Sequence, residues 1–490
     1  MMFGGLKWTA SRLAFFAAAG LLVGGLNTGV ARAADLGGDC CADLEERVAA
    51  LEATTARKGN RVVSLTVSGH VTRGLLYWSD NRSDAYVVDN WNTASRFRFL
   101  GSAKVNADIS VGYFIEIGIH DTRSIDVNQL GPSNANDGQG SSNVLRMRQT
   151  NWWLESKTFG RLTVGQITGA ADGTDVVDLG DLGVVTSAET YLTPASLLMF
   201  NKSTGLYCGQ TGSNCHTGLN WNNGTTGAVD PARHDGIKYE TPTWNGFQFA
   251  TSWGENDSMA AALKFANEWN GLRVAAAVGY IWDRDEQAVS GFTAFLAGQL
   301  GANGGVGGVL GNPNQPFNNV TGGDHDARRW QLSGSIWHVP SGVFVSGSWT
   351  NHEFKGSLDR DVNGQQRPDM TYLWLAAGLR KNWFGIGTTA IYAEYGKGDD
   401  VLTGTFFDTN TAAAVQRIAS NDNWLWGVGI VQNVDAIATE FFAGYRHHEV
   451  NISTEQCAAP VGAVSVCGGP LTKQNLESLD TLFVGAKIRF

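Results

Sequence analysis

The C-terminal stretch 479–490 alternates apolar and polar side chains up to the last residue. One parity carries the apolar side chains of Leu482, Val484, Ala486, Ile488 and Phe490. A period of two indicates a β-strand with one apolar face and one wet face. A strand that ends the chain suits a closed barrel, because closure leaves no unpaired edge to cover. The other interpretation is an edge strand of a soluble sandwich.

Residues 1–33 have the composition of an export signal. Lys7 and Arg12 are basic, 13–30 is apolar, and Ala31-Arg32-Ala33 matches a cleavage site with small residues. This segment contains no acidic residue, so its removal makes the chain more acidic than its net charge of −10. An acidic chain is a poor candidate for binding nucleic acid.

The mature sequence offers no transmembrane helix, because no run of about 18 apolar residues follows Ala33. It does contain 17 Trp, 23 Phe and 62 Gly. Many aromatic residues and glycines without an apolar block favour a transmembrane β-barrel. A secreted all-β enzyme shares this composition, so the strand pattern has to decide.

From residue 62 onward, alternating strands are separated in turn by short turns and long polar loops. The predicted strands cover 62–79, 96–104, 111–119, 145–156, 161–166, 236–241, 246–254, 260–269, 272–283, 328–337, 343–354, 371–381, 387–395, 424–431, 438–449 and 479–490. Short turns at one rim and long loops at the other are typical of outer-membrane barrels. We therefore predict an all-β, 16-stranded antiparallel transmembrane β-barrel over 62–490.

Four segments carry a resemblance to a known family. They are Phe97–Lys104, Tyr113–Ile117, Gly160–Gln166 and the terminal Val484–Phe490. In this order, behind an export signal, they resemble the trimeric sixteen-stranded porins of Gram-negative outer membranes, and 40–59 resembles an alphaproteobacterial branch. The resemblance implies a homotrimer in outer-membrane lipid. It also implies that the third long loop, 167–235, folds into the lumen and narrows the pore, and that Phe490 is an assembly signal.

The segment 34–61 precedes the barrel in the periplasm. Asp43–Glu52 predicts a short helix, and its residues Leu44, Val48 and Leu51 have a coiled-coil spacing. A helix this short is marginal alone and needs a partner or a docking surface. A trimer clasp and a simple tethering helix both fit.

Charged residues on the barrel strands are predicted to line the lumen. If Phe97 and Phe99 face lipid, Arg96 and Arg98 face water, and the same parity places Glu116, Arg146 and Arg148 there. Further candidates are Lys264, Arg273, Arg329, Arg380, Glu394, Glu440, Arg446 and Lys487. Exposing an Arg or Lys to lipid at the bilayer midplane costs roughly 2–4 kcal/mol. Gln149 and Asn151 lie on the opposite parity, which predicts a face that meets another subunit.

The loop 167–235 carries acids at a spacing of three, Asp172, Asp175, Asp178 and Asp181. We hypothesise an eyelet in which these acids face the four arginines and create a transverse field that selects solutes. Two alternatives stay open. In the first, the arginines pair with the loop acids and only hold the loop in place. In the second, the loop acids bind calcium, although they lack the EF-hand pattern.

Six cysteines accompany a chain exported to an oxidising compartment. Cys208 with Cys215, and Cys457 with Cys467, are close pairs in polar loops, so we predict that each pair forms a disulfide. The partner of Cys40-Cys41 stays open. No pair has a zinc-site spacing, so no metal site is expected.

No Gly-x-Ser-x-Gly, His-Glu-x-x-His or P-loop motif occurs, and we expect no enzyme. The predicted function is an outer-membrane porin for passive diffusion of small hydrophilic solutes and ions. The alternatives are a solute-specific channel on the same barrel and a surface adhesin or envelope tether.

Overall fold

A computed structural model describes residues 63–130, 145–208, 210, 212–213, 215, 219–221, 233–284, 326–356, 368–401, 406–408, 415–457 and 467–490. The chain separates into two units, Met1–Thr54 and Thr55–Phe490. The predicted export signal, the helix Asp43–Glu52 and the Cys40-Cys41 pair lie outside the described residues. Within the described ranges, no helix has the length and apolar character needed to cross a membrane.

Sixteen antiparallel strands form the barrel, as the alternating pattern predicted. They are β1 Ser64–Ser79, β2 Arg96–Lys104, β3 Ile109–Ile119, β4 Leu145–Ser156, β5 Gly160–Ile167, β6 His234–Glu240, β7 Phe247–Gly254, β8 Ser258–Trp269, β9 Leu272–Asp283, β10 Ala327–His338, β11 Val343–Phe354, β12 Met370–Lys381, β13 Thr389–Asp399, β14 Val415–Val434, β15 Thr439–Cys457 and β16 Leu479–Arg489. Each strand pairs with its neighbours in sequence around the ring.

The terminal strand closes this ring against the first strand. In the β1–β16 pairing, Val71 lies opposite Ile488 and Tyr77 opposite Leu482. The backbone of Phe490 completes the seam, because its N–H donates to Gly69 O at 3.1 Å and its carbonyl accepts from Gly69 N at 3.0 Å. The closed barrel predicted from the last twelve residues is confirmed.

Side chains alternate between an outer apolar surface and an inner wall. Val343 and Val345 on β11 are 47% and 51% exposed, whereas Phe344 between them is 1% exposed. The exposed set continues around the ring as Val, Leu, Ile, Phe and Trp side chains. This outer surface suits lipid, and the inward parity packs against chain inside the barrel.

The structure contains more strand than the pattern predicted at the loop-bearing rim. Strands β14 and β15 have 20 and 19 residues, and they pair along nearly their whole length. Phe406–Asp408 and Cys467–Lys473 extend the same sheet. At about 3.3 Å per residue, β14 is about 66 Å long, so it projects beyond a hydrocarbon layer of about 30 Å. Polar residues interrupt the alternation at Asn421–Asn423, which is why the pattern ended early.

Candidate functional site

The described part of the segment between β5 and β6 lies inside the barrel, as predicted. We call its described residues, 168–208, 210, 212–213, 215 and 219–221, the inner loop. Its first residues attach to the wall at β7 to β10. Ala170 N donates to Ser252 Oγ at 2.8 Å, and the Lys264 ammonium donates to the Asp172 carbonyl at 2.9 Å. Lys264 therefore faces the lumen, as its parity predicted.

The inner loop continues along the wall from β10 to β14. Ser333 and Ser335 accept hydrogen bonds from the backbone N–H groups of Val177 and Leu179 at 3.1 and 3.0 Å. Arg380 on β12 donates to the Leu179 carbonyl at 2.9 Å. Residues 168–189 form no helix or strand, so their backbone groups need hydrogen bonds to the wall at this depth.

A buried ion pair fixes the next part of the inner loop to β13 and β15. Glu394 accepts from Arg446 Nε at 2.8 Å, and the two side chains are 0% and 5% exposed. Thr186 Oγ1 and Trp374 Nε1 also donate to this carboxylate, at 2.6 and 2.9 Å. The arginine donates in turn to the Thr190 carbonyl at 3.3 Å. We call these side chains the buried clamp.

Two wall glycines permit the close approach of the inner loop. A Cβ placed on Gly444 in β15 would lie 2.5 Å from Cγ2 of Val185, and one on Gly279 in β9 would overlap the Thr174 side chain. Any other residue at these positions would push the loop toward the pore axis. The apolar side of the loop then packs into a core that includes Leu182 and Phe344.

The predicted arginines gather on a different stretch of wall, β2 to β4, which we call the arginine strip (Arg96, Arg98, Arg146 and Arg148, with Glu116). The Glu116 carboxylate lies 2.6 Å from Arg98 Nε, 2.6 Å from Arg148 Nε and 3.6 Å from Arg96 Nη1. Its own side chain is 3% exposed, whereas that of Arg98 is 38% exposed. Arg146 is exposed and lies opposite Gly118.

A β-bulge at Arg148 brings Gln149 and Asn151 onto the same side of the wall as Arg146. Glu116 pairs with Gln149, whereas Ile117 pairs with Met147, so Arg148 is the extra residue. A bulge shifts the alternation by one residue. Beyond it, Asn151 is 9% exposed and lies opposite Phe114, on the parity of Glu116. The prediction that Gln149 and Asn151 lie on the face opposite Arg146 and Arg148 was therefore wrong.

Two of the four acids of the inner loop, Asp178 and Asp181, engage wall side chains through their carboxylates. Asp178 accepts from the N–H groups of Gly180 and Leu182, both at 2.6 Å, and from Ser346 Oγ at 3.0 Å. Asp181 lies 3.3 Å from Arg380 and accepts from Asn433 at 2.8 Å.

The other two acids are Asp172 and Asp175. Asp172 accepts a hydrogen bond from Lys264 through its backbone carbonyl, and Asp175 is buried. Within the described ranges, no three His, Cys, Asp or Glu side chains converge as a metal site. Calcium binding stays a prediction.

We call the later part of the inner loop the cap (its described residues 196–208, 210, 212–213, 215 and 219–221). A Cys208–Cys215 disulfide stabilises it, as predicted. The cap meets the first outer loop where Tyr207 Oη donates to Asp80 at 2.9 Å, and the last outer loop where Glu477 N donates to Phe200 O at 2.9 Å. Cys457 and Cys467 lie opposite each other in the pairing of β15 with Cys467–Lys473. The disulfide between them stays a prediction, because their side chains lie outside the described set.

A closed barrel with a lipid-compatible exterior and a loop folded into its lumen defines the class of outer-membrane channels. The sequence profile described as Gram-negative porin matches residues 17–459. The chain belongs to this family, and it is an outer-membrane channel for passive diffusion of small hydrophilic solutes. No curated relative matches the sequence.

Solved structures of similar architecture share little sequence with this chain. An anion-selective porin from Comamonas acidovorans is 13% identical over 87% of this chain and 100% of that chain, with a TM-score of 0.49. OmpT of Vibrio cholerae is 11% identical over 89% and 99%, with a TM-score of 0.46. Salmonella typhi OmpF, in complex with daunomycin, is 12% identical over 88% and 99%, with a TM-score of 0.45.

Proposed function

We propose that the narrowest part of the channel lies between the inner loop and the arginine strip, and that it favours anions. One observation carries this proposal: the strip has four arginines against one glutamate, and Asp178 and Asp181 of the loop are engaged by other partners. The loop attaches to the wall from β7 to β15, whereas the strip occupies β2 to β4. We therefore keep the hypothesis of an eyelet between the inner loop and the arginine strip, with Asp178 and Asp181 bound to the wall on the loop side.

The positive excess at the strip favours anions by simple electrostatics. A unit charge about 7 Å from an ion in water contributes about 0.6 kcal/mol, which corresponds to about a threefold change in local concentration. Chloride and carboxylate solutes are expected to be enriched over cations of the same size. Screening by salt reduces the effect, because the Debye length is about 10 Å at 0.1 M.

Reversal potentials in planar bilayers under a KCl gradient test the proposal. Replacing Arg98→Gln together with Arg146→Gln removes two positive charges. Each removal lowers the local chloride concentration about threefold and raises the local potassium concentration about threefold, so the chloride-to-potassium permeability ratio is expected to fall by up to about eightfold per charge. Arg273→Gln is the matched control, because Arg273 pairs with Glu268 at 2.6 Å near the turn-bearing rim. An unchanged ratio in the double variant, or an equal fall in the control, would overturn the assignment.

We also propose that the functional unit is a homotrimer, as the family resemblance implies. On the outer face of β2 and β3, the Phe97 and Phe99 rings pack at 5.8 Å, and Tyr113 lies beside Gly101. This aromatic surface suits contact with a second copy. Native mass spectrometry in detergent should give a trimer, and Phe97→Lys with Phe99→Lys should give monomers. A wild-type monomer would contradict the proposal.

A further inference from the structure

One segment of the inner loop, residues 184–193, is held from two sides, and we call it the strap. The buried clamp holds one side, because Thr186 Oγ1 donates to Glu394 at 2.6 Å and Thr190 Oγ1 shares a hydrogen bond of 2.8 Å with Tyr372 Oη. The other side lies against the first and second outer loops, which follow β1 and β3. The strap therefore has two separate sets of partners inside the barrel.

Two buried side chains of the outer loops donate to backbone carbonyls of the strap. Asn90 Nδ2 donates to Val184 O at 2.6 Å, and Ser124 Oγ donates to Leu192 O at 2.7 Å. Both donor residues are 0% exposed. We call Asn90 and Ser124 the brace. Its two hydrogen bonds meet the strap near its two ends, so together they fix the position of the whole segment.

The brace is itself held by backbone hydrogen bonds. Asn90 N donates to Thr72 O on β1 at 3.2 Å, and Ser124 N donates to Asp89 O at 2.8 Å. Ser124 Oγ also accepts from Trp91 N at 3.1 Å, which joins the two outer loops. Side chains whose own positions are fixed in this way are preorganised to hold a partner.

The strap lines the open part of the barrel interior with one side only. Its residue Val184 packs into an apolar core that includes Leu76 of β1 and Phe483 of β16. Ser187 and Tyr191 of the strap are partly exposed, and inside a barrel such side chains face the water of the lumen. The strap therefore forms one wall of the channel, with a packed core behind it.

The brace connects the strap to the wall that carries the arginine strip. Asn90 lies shortly before β2, the strand of Arg96 and Arg98, and Ser124 lies shortly after β3, the strand of Glu116. The two brace hydrogen bonds therefore fix the distance between the strap and the strip. Because the core behind the strap is filled, a strap released from the brace moves into the lumen, and the channel narrows while it is released.

We propose that Asn90 and Ser124 are positioning residues that keep the channel open, because they hold the strap away from the arginine strip. The proposal rests on the proposed function, which puts the narrowest part of the channel between the inner loop and the strip. Losing one hydrogen bond of ordinary strength raises the ratio of released to held strap about fivefold. The outer loops thereby control the width of a constriction that lies deeper in the barrel.

Single-channel recording of the full-length protein in planar bilayers tests this. In Ser124→Ala and in Asn90→Ala, the ratio of partly closed to fully open time should rise about fivefold. Ser124→Thr keeps the hydroxyl that donates to Leu192 O, so it should retain the wild-type ratio. The matched control is Asn151→Ala, because this amide donates to Gln166 O on β5 at 3.3 Å rather than to the strap. The control should also keep the wild-type ratio.

Thermal unfolding of the same variants separates positioning from stability. A lower melting temperature with a wild-type ratio of closed to open time would mean that the brace only stabilises the fold, and it would overturn the proposal. An equal rise in the control, or a risen ratio in Ser124→Thr, would overturn it too. If one alanine variant does not fold, the other carries the test. The proposed anion preference fails separately, through an unchanged permeability ratio in Arg98→Gln with Arg146→Gln.

Discussion

Two stretches of the inner wall use the same residue types for different purposes. In the buried clamp, one glutamate and one arginine are 0% and 5% exposed and hold the inner loop. In the arginine strip, Glu116 is 3% exposed, but its arginine partners reach 38% exposure. An ion pair whose acid and base are both buried holds the inner loop to the wall. An ion pair whose base is partly exposed leaves positive charge that solutes in the channel can reach.

The number of partners separates the two stretches further. Glu394 receives donors from Arg446, Thr186 and Trp374, so its charge is matched within the protein. Glu116 is one carboxylate among several arginines, so positive charge remains in excess. A sequence-level argument from parity treats Arg446 and Arg98 as equivalent, and their surroundings decide which one a passing ion encounters.

The largest effect should follow from Glu394→Gln. This change leaves the Arg446 guanidinium buried without its counter-charge, which typically costs about 3–5 kcal/mol. We expect a lower melting temperature in detergent, together with a noisier and larger single-channel conductance as residues 182–193 leave the wall. Thermal unfolding followed by circular dichroism and planar-bilayer recording measure the two effects.

Glu116→Gln is the matched comparison, because it neutralises the glutamate of the arginine strip as Glu394→Gln neutralises that of the clamp. It tests whether the two stretches differ in function. Of the three arginines around Glu116, Arg98 is 38% exposed and stays solvated when Glu116 is neutralised, whereas Arg96 and Arg148 are 14% and 11% exposed. The loss of stability should therefore be smaller than for Glu394→Gln, where the arginine is 5% exposed, and anion preference should rise. If the two substitutions cost the same stability and change selectivity alike, the distinction between fastening and selecting residues is wrong.

The sequence predicted the barrel well, because each strand carries its own signal. Alternation alone located all sixteen strands. It failed at the loop-bearing rim, where polar residues such as Asn421 and Asn423 extend β14, and at the bulge in β4. Lumen parity was predicted for Arg96, Arg98 and Glu116 for the same reason.

The buried clamp was beyond reach of the sequence. Tyr372 and Trp374 look like lipid-facing aromatic residues, and nothing local indicates that Thr186 lies beside Glu394, 208 positions away. The bulge at Arg148 was missed for a related reason, because a single inserted residue is visible only against its partner strand. Contacts between loop and wall depend on the path of a long irregular segment, which no periodicity encodes.

A smaller effect should follow from Cys208→Ser with Cys215→Ser, which tests whether the cap behaves like the clamp. Closing a loop this short stabilises by about 2–3 kcal/mol in the chain-entropy account. We expect faster amide exchange in residues 196–208, with unchanged exchange at 182–193 if the clamp holds by itself. Dithiothreitol should reproduce the result in wild type. A remaining response of the double variant to the reductant at residues 453–455, beside Cys457, would report the predicted Cys457–Cys467 disulfide.

The smallest effect we expect is a pH dependence at the edge of the cap. There the cap is held by hydrogen bonds to the buried carboxyl of Asp80, whereas the clamp is held by an ion pair. Burial raises the pKa of Asp80 from 3.8 to about 6, although Tyr207 and Gln129 donate to it. A folded-state pKa above the unfolded value means that the folded state binds the proton more tightly. Its contribution is therefore fully present below about pH 4 and is lost as the pH rises through about 6. Amide exchange at residues 206–208, corrected for intrinsic rates, should speed up between pH 4.5 and 7.5, and Asp80→Asn should flatten that change. A profile that keeps its slope in Asp80→Asn would mean that another group controls how the cap is held.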